Sequence, residues 1–187
     1  QAARELERLA EDSPRQKALA QLRQAALLVG LIERRLDPRP SFAEVREQLR
    51  RAYETAPEGA AELLSRIELV YVETFAWEGN WARVEELARP MAQRYGNENA
   101  QAAMTRIYLA QSLERTRAYQ QAIDILNDVA TTNIPPENRL RFGMKAVDPS
   151  NLAREKLDHF QDLAVMDTAA MEEKPPAAET EQPQESE

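Results

Sequence analysis

Proline and glycine cut a chain of strong helix formers into pieces of helix length, and this spacing limits what the chain can become. Arg, Ala, Leu, Glu and Gln dominate the 187 residues, β-branched residues are sparse, and no stretch keeps a period-2 alternation. The reading is all-α. A first helix is expected over about Gln1 to Glu11, with Leu6 and Leu9 on one side. Ser13-Pro14 reads as an N-cap and first helical position, opening a helix to about Arg35 that Asp37-Pro38-Arg39-Pro40 stops. Ser41-Phe42-Ala43-Glu44 has capping-box spacing and starts a helix to Glu54 that buries Phe42, Val45, Leu49 and Ala52.

The segment from Glu58 to Glu78 is the most apolar. Leu63, Leu64, Ile67, Leu69, Val70, Tyr71, Val72, Phe75 and Trp77 cover most of its circumference, as in the central element of a stack. If one hydrophobic partner is permanent, such a helix is expected to expose more apolar surface in isolation than a monomer tolerates. Gly79 stops it and Asn80 caps the next helix, Trp81 to Tyr95, which Pro90 is expected to kink and Gly96 to end. Asn97 or Asn99 opens a helix to about Arg115, and another spans Arg117 to Val129 before Ile134-Pro135-Pro136. A shorter helix is expected from Glu137 to Val147. After Asp148-Pro149-Ser150 comes a last one carrying Leu152, Leu157, Phe160, Leu163 and Met166.

Composition and charge exclude several function classes. The formal net charge of −8 speaks against a nucleic-acid binder. However, −5 of it falls in the segment from Glu172 to Glu187, which leaves −3 for residues 1–171. That end carries six acids, one Lys, three Pro and no aromatic, so disorder is expected for 172–187 and one folded domain for 1–171. The chain has no cysteine, hence no disulfide, thiolate metal site or cysteine nucleophile. No apolar run reaches the roughly 18 residues of a membrane span. The start at Gln1 fits a processed or trimmed chain.

Catalytic signatures are missing. His159 is the only histidine and reads as a surface or half-buried helix residue rather than a general base. Glu85-Glu86 and Glu172-Glu173 are neighbours that point about 100° apart on a helix, so neither forms a catalytic dyad. The five glycines are isolated and make no phosphate loop, and no His, Asp or Glu set has metal-ligand spacing. The expectation is no enzyme activity, no cofactor and no metal. Twenty arginines face four lysines. Arg34-Arg35 and Arg50-Arg51 are read as solvated faces paired to Glu33, Glu47 and Glu54, with bidentate clamping of an acidic partner as the alternative.

Phe42, Trp81 and Tyr119 each open the second helix of a pair, 39 and 38 residues apart. Around the last of them run Leu109-Ala110, Leu113, Tyr119, Ala122-Ile123, Leu126, Val129 and Pro135. This pattern resembles the tetratricopeptide repeat, a unit of about 34 residues with a small residue early in helix A, an aromatic opening helix B and an alanine one turn on. Gly30, Phe42, Val45, Leu49 and Ala52 supply these places in the first pair, with an insertion at Pro38-Arg39-Pro40. In the middle pair Gly79, Trp81 and Ala88 match, but Val72 and Val84 replace small residues. The resemblance covers Arg23 to Pro136, with a degenerate fourth pair from Glu137 to Met166. It implies a right-handed α-solenoid of about three to four antiparallel helix pairs.

In that family the helix A faces line a concave groove for peptides. Carried over, the groove takes Arg66, Leu69, Glu73, Ala76 and Trp77 from the middle repeat. The next repeat adds Met104, Ile107, Gln111, Glu114 and Arg115. Trp81 reads as the buried wedge of its repeat and Trp77 as the better binding candidate. The family's acidic-tail binders use Lys and Asn where this chain has Leu69, Glu73, Met104 and Tyr108, so a folded protein or amphipathic helix fits better. The resemblance thus implies a non-catalytic interaction scaffold, an accessory or assembly subunit of a larger bacterial complex. It favours a periplasmic or membrane-complex location over a cytoplasmic one. The alternative is a module that senses a peptide or small ligand and regulates a bound enzyme.

Overall fold

A computed structural model of the chain describes residues 13–35, 40–95, 99–135, 140–142 and 145–172. The expected helix over Gln1 to Glu11, Asp37, Pro38 and Arg39 of the expected stop, Gly96, Asn97, Pro136 and the acidic end beyond Glu172 lie outside these residues. Among the described residues the fold is helical apart from one small hairpin. The helices are α1 (Pro14–Glu33), α2 (Phe42–Thr55), α3 (Ala61–Trp77), α4 (Trp81–Arg94), α5 (Ala100–Arg115), α6 (Tyr119–Thr131) and α7 (Pro149–Glu172).

The ends of these helices follow local chemistry. At Ser41 the capping box forms as expected: Glu44 N donates to Ser41 Oγ at 3.3 Å, and Ser41 N donates to the Glu44 carboxylate at 2.7 Å. The bonds donated to the Glu44 carboxylate by Ser41 N and, to a lesser degree, by Ser41 Oγ hold that carboxyl below its ordinary range. Asn80 and Asn99 cap α4 and α5 by accepting from Arg83 N and Ala102 N. Ser13 occupies the N-cap of α1 with Pro14 behind it, but its hydroxyl makes no capping bond. Gly79 ends α3 at φ 73°, a left-handed conformation that a side chain would strain. Pro90 leaves α4 unbroken to Arg94 and sits on its exposed side.

One expected helix is absent. Residues 140–142 and 145–147 form β1 and β2, an antiparallel hairpin pairing Leu140 with Val147, Arg141 with Ala146 and Phe142 with Lys145. Gly143 and the upstream prolines weaken a helix there, and buried Leu140 anchors the hairpin on the core. The degenerate fourth helix pair therefore does not form. In its place stand the hairpin and α7, which packs on both α6 and α5.

Each helix packs on the next, and α3 also meets α5. Two apolar clusters result. One joins α1, α2 and the first half of α3 through Ala18, Leu22, Ala25, Val45, Leu49, Leu63 and Ile67. The other starts at Leu69 and runs through Val72, Val84, Ile107, Leu113 and Leu126 to Phe160. Helix α3 serves both, so its apolar residues are covered from two sides and only Trp77 among its large ones is exposed. Gly30 needs no close approach, since a Cβ at that position would meet nothing within 4 Å.

Candidate functional site

The two expected halves of the groove part company once packed. On α3, Arg66 is exposed, Ala76 is partly covered and Trp77 is 44% exposed. Leu69 belongs to the core, so it cannot form a groove floor. On α5, Met104 and Ile107 are likewise core residues, buried because this helix is enclosed by α3, α4, α6 and α7. Gln111 and Glu114 are half-buried and Arg115 is exposed. Four of the ten expected groove residues, Leu69, Glu73, Met104 and Ile107, are therefore buried instead of facing a ligand.

The remaining residues fall into distinct contacts. The Arg115 guanidinium lies over the Trp81 ring, 5.4 Å from its centroid, while Trp81 packs half-buried against the core. His159 is exposed, with Nε2 3.9 Å from Glu114. Glu73 is buried at 4% exposure and accepts a hydrogen bond from the Tyr108 hydroxyl at 3.3 Å. Burial pushes its carboxyl up to about 7, the Tyr108 bond opposes this, and the charge of Glu33 adds to it. Burial and the adjoining carboxylate also raise the Tyr108 hydroxyl well above its usual range.

Trp77 lines a cleft that combines exposed aromatic surface with charge. Its ring lies 5.9 Å from that of Phe42 at an interplanar angle of 33°. Val29, Ile32, Glu33 and Arg35 from the end of α1 complete this cleft. The Arg46 guanidinium braces the wall from behind. It binds both carboxylate oxygens of Glu78 at 2.7 and 3.2 Å and lies 4.4 Å from the Phe75 ring centroid. Arg35 has φ 53°, which turns the chain sharply after α1 and brings its side chain to the cleft.

Sequence reasoning identified Trp77 but not Val29, Ile32, Glu33, Arg35 and Phe42 as its companions. Their signal was weak: Phe42 opens α2 where α1 has just ended, which places it beside the last turn of the neighbouring helices. The arginine pairs behave as expected at one place. Arg50 bonds Glu47 and Glu54 and Arg51 bonds Glu47, which holds the Glu47 carboxyl down to about 2. Glu85 and Glu86 pair with Arg89 and Arg83. Among the described residues no group of three or more His, Asp or Glu is arranged to hold a metal, and no helix is long and apolar enough to cross a membrane. No family model, curated protein or solved structure matches this chain.

Proposed function

We propose that this chain is a non-catalytic protein-interaction scaffold whose contact surface centres on the cleft of Trp77 and Phe42. The single observation that carries this reading is Trp77, a large aromatic left 44% exposed at the end of a helix whose other apolar residues are covered. A side chain of a partner seated between Trp77, Phe42, Val29 and Ile32 buries apolar surface, while Glu33 and Arg35 at the margin set its register. A folded protein or amphipathic helix meets both demands.

The broader architecture is a tetratricopeptide-like right-handed stack of helix pairs. Equivalent burial in its second helices supports it: Val45, Val84 and Ala122 stand three residues after Phe42, Trp81 and Tyr119, and all are fully buried. Leu49, Ala88 and Leu126, seven residues after the same aromatics, are fully buried too. On this reading the chain is an accessory or assembly subunit of a larger bacterial complex, periplasmic or bound to a membrane complex. Affinity purification from the native host tests it. A stoichiometric partner that is lost with Trp77→Ala supports the scaffold, and a folded chain recovered alone refutes it. A regulatory sensor is the second reading, favoured by the buried Glu73 carboxyl one turn before Trp77, and it predicts a stable monomer that binds reversibly.

A further inference from the structure

The large apolar side chains exposed among the described residues are Leu27, Leu31, Tyr53, Trp77, Val165 and Met166. Apart from Tyr53 and Trp77, all lie on the first and last helices of the described fold. Leu27 and Leu31 are 59% and 37% exposed on α1, which packs chiefly on α2. Val165 and Met166 are 70% and 67% exposed near the end of α7, which packs on α6 and α5. Residues three and four apart share a helix face, so Arg23, Leu27, Leu31 and Arg34 form one stripe, exposed along its length. The same spacing sets Asp158, Asp162, Val165 and Ala169 in an exposed stripe on α7, with Met166 at its margin.

The two stripes carry opposite charge. From Pro14 to Arg35 the cations Arg15, Lys17, Arg23, Arg34 and Arg35 face a single acid, Glu33, and none of them is ion-paired among the described residues. From Asp158 onward α7 holds Asp158, Asp162 and Asp167 and no Lys or Arg. Asp167 is paired with Arg117 at 3.1 Å, which leaves Asp158 and Asp162 without a cation among the described residues.

We propose that these two ends dock on each other between copies of this chain: Leu27 and Leu31 of one copy seat against Val165 and Met166 of the next, with the arginines of α1 facing the aspartates of α7. Laid antiparallel, the helices bring Asp158 and Asp162 to Arg34 and close the apolar pairs on one another. Like ends are mismatched, because α1 on α1 opposes arginines and α7 on α7 opposes aspartates. The contact is therefore heterologous: each docking leaves a free end, and assembly runs on to rings or open rows. Two apolar side chains from each copy bury little area, so the contact is weak and depends on concentration. None of these residues except Arg35 touches the Trp77–Phe42 cleft, so the docking does not depend on the function proposed for that cleft.

Sedimentation equilibrium of the full chain, over roughly 10 μM to 1 mM at low salt, tests this. The average mass should rise at least about 1.5-fold above the monomer value, and about 0.5 M NaCl should bring it back toward the monomer by screening the exposed charges. Leu27→Gln with Leu31→Gln blocks one end, and Val165→Gln with Met166→Gln blocks the other. All four positions are exposed and Gln suits a helix, so circular dichroism should show unchanged helicity. Each doubly substituted chain should stay monomeric alone. Mixed, the two should form a one-to-one complex, because the first keeps its α7 end and the second its α1 end. A native chain that stays monomeric overturns the proposal, as does an association that salt leaves unchanged. So does either variant that self-associates like the native chain, or a mixture that remains monomeric.

Discussion

Trp77 and Phe42 meet at 5.9 Å between ring centroids, so the last residue of α3 and the first of α2 share one aromatic wall. Trp77 is 44% exposed and its loss removes little of the core. Trp77→Ala should therefore cost about 1 kcal/mol or less in stability, mostly the ring contact. Partner capture should fall at least about tenfold, as for an interface anchor. Thermal melting and quantitative pull-down on the same preparation check both parts.

Leu69 behaves in the opposite way. It is 3% exposed and begins the larger core, so Leu69→Ala should cost about 2–5 kcal/mol by removing methyl groups and leaving a cavity. Urea unfolding measures this loss. A variant carrying both substitutions would confuse a folding defect with a binding defect, so Trp77 is the position that probes the surface cleanly.

Global stability should fall as pH rises from about 4.5 to about 7 through Glu73. Its carboxyl is raised in the folded chain by burial, so the folded state holds the proton where the unfolded chain has lost it. The contribution is complete below the unfolded value, declines by roughly 1.4 kcal/mol per pH unit at the steepest, and is gone above the folded value. Glu73→Gln should remove this slope in a series of denaturant titrations.

Arg94 compensates another buried carboxylate. It pairs with Glu68, which is 5% exposed, and it lies 3.4 Å from the Tyr53 hydroxyl. Burial and the Glu68 carboxylate together push the Tyr95 hydroxyl well above its usual range. Because Arg94 itself is half exposed, Arg94→Leu should destabilise by about 1–3 kcal/mol, by leaving Glu68 without its cation. Adding Glu68→Leu should recover part of the loss. A double-mutant cycle from chemical denaturation reads the coupling.

Helix content and most helix boundaries were legible in the sequence because they depend on neighbours along the chain. Ser41 with Glu44, Asn80, Asn99 and Gly79 act within one turn, and the aromatics at 42, 81 and 119 each stand at the first position of a helix. The hairpin at 140–147 was missed because three-residue strands carry too short a pattern, and only docking of Leu140 on the core favours them over a helix.

The sequence alone determined a helical chain with capped, proline- and glycine-bounded segments, since propensity and capping are local energies. It also singled out Trp77. Tertiary structure decided which apolar and acidic residues face inward. Leu69, Met104 and Ile107 share a helical stripe with Trp77 or Arg115, and periodicity cannot tell a groove from a core. Only the placement of α5 against four other helices buries them, leaves Glu73 between two cores, and brings Phe42 and the end of α1 to Trp77. Burial is a property of what comes to lie alongside, and residues distant in sequence supply it.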